Sequence, residues 1–271
     1  MLSILNSVSS LTAENALSST QMSLQKTLTE LSTGLKINSG SDDAAGLSIA
    51  NGLQANISAL SQSSQNASDG VGLLQTADGA LSQVTTLLNR AVTLATEAST
   101  GGLSTSQASA LNTEYQSILT EIGNIGSTTN YNGTAIFGTT AAVFTSDGTS
   151  SGSGTTSTSI GGLTTTALSL NSTDLTSTTD AQKALTAITG AISTVAANRG
   201  SIGAAVNQLS ADANVENTEV TNLTSAENAV QNADIGQTVA QMTQFTVLQQ
   251  TGMAALSQSN QAQEAVLKLL Q

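Results

Sequence analysis

Reagents for catalysis are scarce in this chain: it has no His and no Cys, and its 271 residues set six Lys and Arg against eighteen Asp and Glu. Acyl-transfer triads and zinc hydrolase sites need an imidazole or a thiolate, and structural zinc sites and disulfide frameworks need Cys, so those classes are excluded. Carboxylate chemistry remains, yet the Ser/Thr-rich middle holds only Asp147, Asp174 and Asp180. Three acids without a partner base give general acid–base catalysis little to work with. The expectation is a non-enzyme with no cofactor and no metal. A net charge of −12 with dispersed basic residues and 2% aromatics supplies neither phosphate neutralisation nor base-stacking platforms, so no nucleic-acid partner is expected. No apolar run approaches the roughly 18 to 20 residues of a spanning helix, so no membrane insertion is expected. The N-terminal MLSILNSVSS lacks the basic and apolar regions of a cleaved signal peptide, which leaves the cytosol or export by another route.

The elements that carry these side chains follow from periodicity. The chain has no Pro, where average usage of about 5% would give roughly 14, and this predicts long uninterrupted helices. Apolar residues make up 38% of the chain, and 38 Ser with 41 Thr fill much of the rest, so any core is narrow. Leu17, Leu24, Leu28, Leu31 and Leu35 form a seam on one helical face that closes near Gly34. Asp42 and Asp43 then suit the positive first turn of a second helix. From there a seven-residue repeat runs through Leu53, Leu60, Ala67, Leu74, Leu81, Leu88 and Ala95. Its companion line is weaker, with Ile57, Val71 and Val92 but also Ser64, Asp78 and Thr85. Asn51-Gly52, Asp69-Gly70 and Asp78-Gly79 are turn signals, but the repeat keeps its phase across all three, so one helix of roughly 85 Å is expected over 43–99.

Ser104 and Gln107 read as a capping box for a shorter helix carrying Leu111, Tyr115, Ile118, Leu119 and Ile122, with Gly123 and Gly126 as its stop. Asn132-Gly133 is a hairpin-type turn. Residues 145–179 include 26 Ser, Thr or Gly out of 35, read as β or solvated loop, with strand-like pieces at Leu168 and Leu170. The pair Thr179 and Gln182 opens a second long repeat with a/d positions Leu185, Ile188, Ile192, Val195, Arg199, Ile202, Val206, Leu209, Ala213, Glu216, Val220, Leu223, Glu227 and Val230. Arg199, Glu216 and Glu227 interrupt it. Asp234 with Gln237 restarts a helix bearing Val239, Met242, Phe245, Val247, Leu248, Met253 and Leu256, and the chain closes on AVLKLLQ. Met242 and Met253 read as gap-filling apolar residues. The predicted fold class is mainly α: a long antiparallel coiled-coil bundle with paired terminal helices and a small β/loop section in the middle. The terminal pair carries more apolar surface than it can hide, which predicts self-association, with terminal helices that order only on assembly.

LSTGLKINSGSDDAAGLSIANGL (31–53), NASDGVGLLQTADGAL (66–81), NYNGTAIF (130–137) and, near the end, NADIGQTVAQM with VLQQTGMAALSQSNQ resemble bacterial flagellin over residues 1–137 and 180–271. The resemblance implies an extracellular structural subunit, exported unfolded through the flagellar type III apparatus with a chaperone. It would polymerise with itself under a filament cap and meet the hook-filament junction proteins, in a filament turned for swimming. It also implies the domain plan: 1–42 and 233–271 as the inner assembly domain, 43–137 and 180–232 as the coiled coil, and 138–179 as a short exposed section at the far end. Candidate self-assembly residues are Leu24, Leu28, Leu31, Leu35, Lys36, Asp42, Asp43, Val239, Met242, Phe245 and Leu256. Arg90, Leu94 and Glu114 match positions that an innate immune receptor recognises in flagellins of other bacteria.

The sequence departs from the family pattern at several bases. Lys36 replaces the Arg of SGLRIN, which removes bidentate pairing. Val206, Asn207 and Gln208 stand for QNR, and Ser225 to Val230 carry no base. Two other functions fit the same features less well. A hook-filament junction protein shares the terminal pattern, but the unbroken AAGLSIA favours flagellin. A secreted adhesion or binding module would stay monomeric at high concentration.

Overall fold

The computed structural model describes residues 8–148 and 154–269. The opening MLSILNS, five residues of the Ser/Thr-rich middle and the last two residues of AVLKLLQ lie outside the described residues. Among the described residues five helices carry the fold: α1 (Val8–Thr33), α2 (Ala44–Ala98), α3 (Thr105–Thr128), α4 (Thr178–Gln231) and α5 (Ile235–Leu269). Two antiparallel hairpins lie between α3 and α4, β1 (Asn130–Tyr131) with β2 (Thr134–Ala135) and β3 (Thr139–Phe144) with β4 (Thr155–Ile160). The protein is mainly α, with a small β section. By packing it divides into one unit of residues 1–55 and 222–271 and another of residues 56–221.

In the 56–221 unit, α2 runs without a break through Asp69-Gly70 and Asp78-Gly79. The phase of the repeat therefore outweighs local turn chemistry. Leu60, Ala67, Leu74, Leu81, Leu88 and Ala95 are buried as the repeat predicts. The companion line differs from the predicted one. Ser63, Ala77, Val84, Ala91 and Ala98 are buried, whereas Ser64, Val71, Asp78, Thr85 and Val92 are only partly covered. The same substitution of lines occurs in α4, where Ala181, Ala184, Ala191 and Ala205 accompany Ile188, Val195, Ile202 and Leu209 inside. Leu185, Ile192 and Val206 lie half-covered beside them. Each helix thus presents large residues alternating with small ones. Burial of each large side chain contributes roughly 1.5–3 kcal/mol, and the small line sets how closely the neighbouring element can approach.

Two of the charged residues that break the sequence patterns answer each other. Arg199 Nε and Nη2 donate to Asp78 Oδ1 and Oδ2 at 2.7 and 3.1 Å, a bidentate pair. The Arg199 hydrogen bonds hold the Asp78 carboxyl below its usual range despite burial, and Asp78 raises Arg199 in turn.

The Ser104–Gln107 capping box forms as predicted, but α3 does not stop at Gly123 or Gly126. It continues to Thr128, and Gly126 is needed because a Cβ there would lie 2.7 Å from Leu163 Cβ. Asn132 and Gly133 take positive φ of 49° and 78° in the predicted hairpin turn. Leu168 and Leu170 are not in strands; they sit in turns, and with Ile160, Leu163 and Leu175 they join the core of α2, α3 and α4. In the described part of the middle many Ser and Thr side chains are exposed, while Leu163, Leu168, Leu170 and Leu175 are buried. Tyr115 Oη and Thr173 Oγ1 lie 2.6 Å apart, and the Leu175 amide donates to Asn112 Oδ1 at 2.9 Å, so α3 fastens this segment. The cap of α4 is Ser177, whose Oγ accepts from the Asp180 amide at 3.1 Å, rather than Thr179 with Gln182.

Candidate assembly interface

In the other unit α1 and α5 lie antiparallel. Ser10 Oγ is 2.9 Å from Ser259 Oγ, and a Cβ on Gly252 would lie 3.3 Å from Leu17 Cδ1. At the other end Lys36 N donates to Gln231 O at 2.7 Å and Ala233 N to Gly34 O at 2.9 Å, around the Leu35–Asn232 bridge. The terminal seams, expected to order only on assembly, are helical and paired within the single chain. Gly34 takes the left-handed φ of +76° that ends α1, its amide bonded to Glu30 O.

The pair is packed in an unusual way. Among the described residues its most buried side chains are Thr27 and Thr238, 3% and 4% exposed. Each hydroxyl donates to the carbonyl four residues earlier, Ser23 O at 2.9 Å and Asp234 O at 2.8 Å, so neither is left unpaired inside. Of the predicted seam, Leu24, Leu31, Leu35, Met242, Phe245 and Leu256 are half-buried, while Leu28 and Val239 are exposed. Among the described residues, ten of the twelve exposed large apolar side chains belong to this unit, including Leu11, Val247, Leu248 and Met253. Thr27, Thr238 and Gly252 escaped the sequence reading because none counts as apolar. The alternating three- and four-residue phase of Leu17, Thr20, Leu24, Thr27 and Leu31 is the signal that would have found them.

The connector between α1 and α2 explains the DDAAG motif. Asp42 Oδ2 accepts from the Asn38 and Ser39 amides and from Ser39 Oγ, and its Oδ1 lies 2.9 Å from Lys26 Nζ. Those bonds, the lysine's first among them, hold the Asp42 carboxyl down at about 2. Asp43, not Asp42, caps α2: its Oδ1 accepts from the Ala45 and Gly46 amides at 3.0 and 2.9 Å. Gly46 admits buried Ile37, whose Cδ1 would lie 2.7 Å from a Cβ. Lys36 Nζ donates to Ala229 O at 3.1 Å, a cation at the negative end of α4. Gln54, with its amide turned to satisfy its partners, donates to Glu227 at 2.7 Å, so that interruption of the repeat is also answered.

In the 56–221 unit Arg90 on α2 and Glu114 on α3 form an exposed pair at 2.7 Å. Leu94 corrects the expectation that grouped it with them. Its side chain is 0% exposed, because it lies one turn from Arg90 on the core side of α2, and it offers no surface contact. Asp174 and Asp180 serve the local backbone: Asp174 Oδ1 accepts from Thr176 N and Oγ1, and Asp180 pairs with Ser177 and Lys183. Hydrogen bonds from Ser177 and then Lys183 lower the Asp180 carboxyl. No helix among the described residues is long and apolar enough to cross a membrane, and no described group of three or more acidic side chains could hold a metal ion.

Comparison with known proteins accounts for this arrangement. Residues 4–142 match the family model of the bacterial flagellin N-terminal helical region, and residues 185–270 that of the bacterial flagellin C-terminal helical region. A flagellin of Halalkalibacterium halodurans is 34% identical over 248 residues, 91% of each chain. One of Listeria monocytogenes is 29% identical over 263 residues, 89% of each chain. Among solved structures, Bacillus cereus flagellin aligns over 56% of this chain and 88% of its own, at 27% identity and a TM-score of 0.49. The matched regions take in both terminal helices and both long repeats, and the chain belongs to the bacterial flagellin family.

Proposed function

We propose that this flagellin, a structural subunit of the bacterial flagellar filament, polymerises through its terminal helices, residues 1–42 and 233–271, with 43–137 and 180–232 as its coiled-coil domain and 138–179 as a short exposed section. One observation carries the reading: the α1–α5 pair buries Thr27 and Thr238 and leaves Leu28, Val247 and Met253 outside. A pair whose most buried described side chains are two threonines, and which leaves large apolar side chains such as Val247 and Met253 in the open, is suited to be covered by further copies. Leu24, Leu31, Leu35, Met242, Phe245 and Leu256 then gain their remaining burial from neighbours. Lys36, Asp42 and Asp43 fix the connector that sets the direction of α1. Family membership supports secretion through the flagellar export apparatus with a chaperone, and placement between the hook-filament junction and cap proteins. The exposed Arg90–Glu114 pair is the part of the immune-receptor match still at the surface.

The test uses Val247→Asp and Met253→Asp, at positions 55% and 49% exposed in the single chain. Both variants should keep the wild-type helical signal by circular dichroism and fail to form filaments by negative-stain microscopy. Filaments of normal length from the double variant would overturn the assignment.

A further inference from the structure

Most acidic side chains of this protein face water or a cationic partner, and Glu216 does neither. On α4 it is 5% exposed, with Oε1 2.6 Å from Ser63 Oγ of α2 and Oε2 buried without a hydrogen-bond partner. Every titratable group around it is acidic. Asp212 and Glu219 flank it on α4, and Asp147, following β3, lines the same cavity of about 430 Å³. On the facing stretch of α2, residues 56–77, the only titratable residue is Asp69, which is exposed and bonded to Gln65. Burial, reinforced by Asp212 and Glu219 and opposed by the Ser63 hydrogen bond, pushes the Glu216 carboxyl above its usual range.

The β3–β4 hairpin rests on this site. The Phe144 carbonyl lies 3.4 Å from Ser63 Oγ and 3.4 Å from Asn66 Nδ2. Thr156 Oγ1 donates to Asp212 Oδ2 at 3.1 Å, and Val143 packs over Gly70. Ser63 has one hydroxyl proton and two acceptors within reach, the Glu216 carboxylate and the Phe144 carbonyl. An ionised Glu216 takes that proton at 2.6 Å. A neutral Glu216 instead donates its own proton to Ser63 Oγ, and the serine proton turns to the Phe144 carbonyl.

We propose that Glu216 is a proton-operated latch for the β3–β4 hairpin, acting through Ser63: neutral Glu216 lets Ser63 join Asn66 in holding the Phe144 carbonyl to α2, and ionised Glu216 withdraws the Ser63 donor and loosens that hold. Because the seated form binds the proton more tightly than the released form, the latch is fully closed below the ordinary glutamate value of about 4.5. It opens as pH rises through the elevated value of the seated state.

The experiment follows the full chain, kept monomeric at low concentration, between about pH 4 and 9. Glu216 Cδ is titrated by NMR, and amide-exchange protection factors are read for β3 and β4 against those of α3. Hairpin protection should fall with rising pH, about tenfold for each pH unit by which the Glu216 midpoint exceeds 4.5, while α3 protection stays level. In Glu216→Gln the hairpin should remain protected at every pH, and in Ser63→Ala it should be weakly protected at every pH. A Glu216 midpoint at or below 4.5, hairpin protection that is constant or rises with pH, or an unchanged pH response in either variant would overturn the proposal. The wild-type titration decides the matter if a variant fails to fold.

Discussion

Two glycines nine residues apart on α2 should respond to the same substitution with opposite signs. Gly70 lies on the small-residue line that faces the core, where an added Cβ would meet Val143 Cγ2 at 2.5 Å and Leu209 Cδ1 at 3.1 Å. Val143 cannot swing aside cheaply, because a β-branched side chain on a strand has few rotamers to escape into. Overpacking of this kind costs about 1–3 kcal/mol, against a helix-propensity gain of about 1 kcal/mol for Gly→Ala. Gly70→Ala should therefore be net destabilising, by up to about 2 kcal/mol. Gly79 has nothing within 4 Å of the same added atom, so Gly79→Ala keeps the propensity gain alone and should stabilise by about 1 kcal/mol. Thermal and urea unfolding of the two variants reads the difference, at about 2–4 °C per kcal/mol for a unit of this size. Equal stabilisation by both substitutions would refute the argument that the small line is set by contact with β3 and α4.

Leu209→Asp places a carboxylate at a site 1% exposed, with Asp212 and Glu216 along the same helix face. It should cost at least about 3 kcal/mol, seen as an earlier loss of helicity on heating; an unchanged melting curve would show that residue 209 is not buried. Asp42 gives a pH dependence of the opposite sign to Glu216. With its carboxyl lowered from 3.8 to about 2, its contribution is complete above about 4 and lost as pH falls toward 2. Asp42→Asn should flatten the acid limb of the stability curve in that window, and an acid limb identical to wild type would remove Asp42 from the account.

The large residues of both long repeats were legible as a fixed period, and so were the capping box at Ser104, the Asn132-Gly133 turn and the restart at Asp234. A period of seven in Leu, Ile and Val seldom arises without a packed helical stripe beneath it. The small companions were not legible. Ala, Gly and Ser occur on every face of these helices, so Ser63, Gly70, Ala184 and Ala191 carry no signal until the neighbouring element is in place. The charged interruptions were legible only as exceptions, because a lone Arg199 or Glu227 in a repeat says nothing of the Asp78 or Gln54 that answers it from another helix. Leu94 was misplaced for a related reason. A residue matched to a surface position by likeness carries no information about which side of its own helix faces the core.

The same blindness to small and hydroxylated residues bears on assembly. A Thr in a helix can satisfy its own hydroxyl on the carbonyl four residues back, and it does so at Thr27, Thr238 and Thr246 as well as along α2 and α4. Such a Thr enters a seam without leaving a donor unpaired, so a Ser/Thr-rich chain can pack helices closely without spending its large apolar residues. In the 56–221 unit most large apolar residues are inside, with Phe144 and Val215 exposed among the described residues. In the α1–α5 pair Thr27 and Thr238 are the buried side chains among those described, Gly252 packs close to Leu17, and Leu28, Val247 and Met253 stand outside. On the proposed assembly, that contrast separates the part of the chain that completes its own core from the part that further copies would cover.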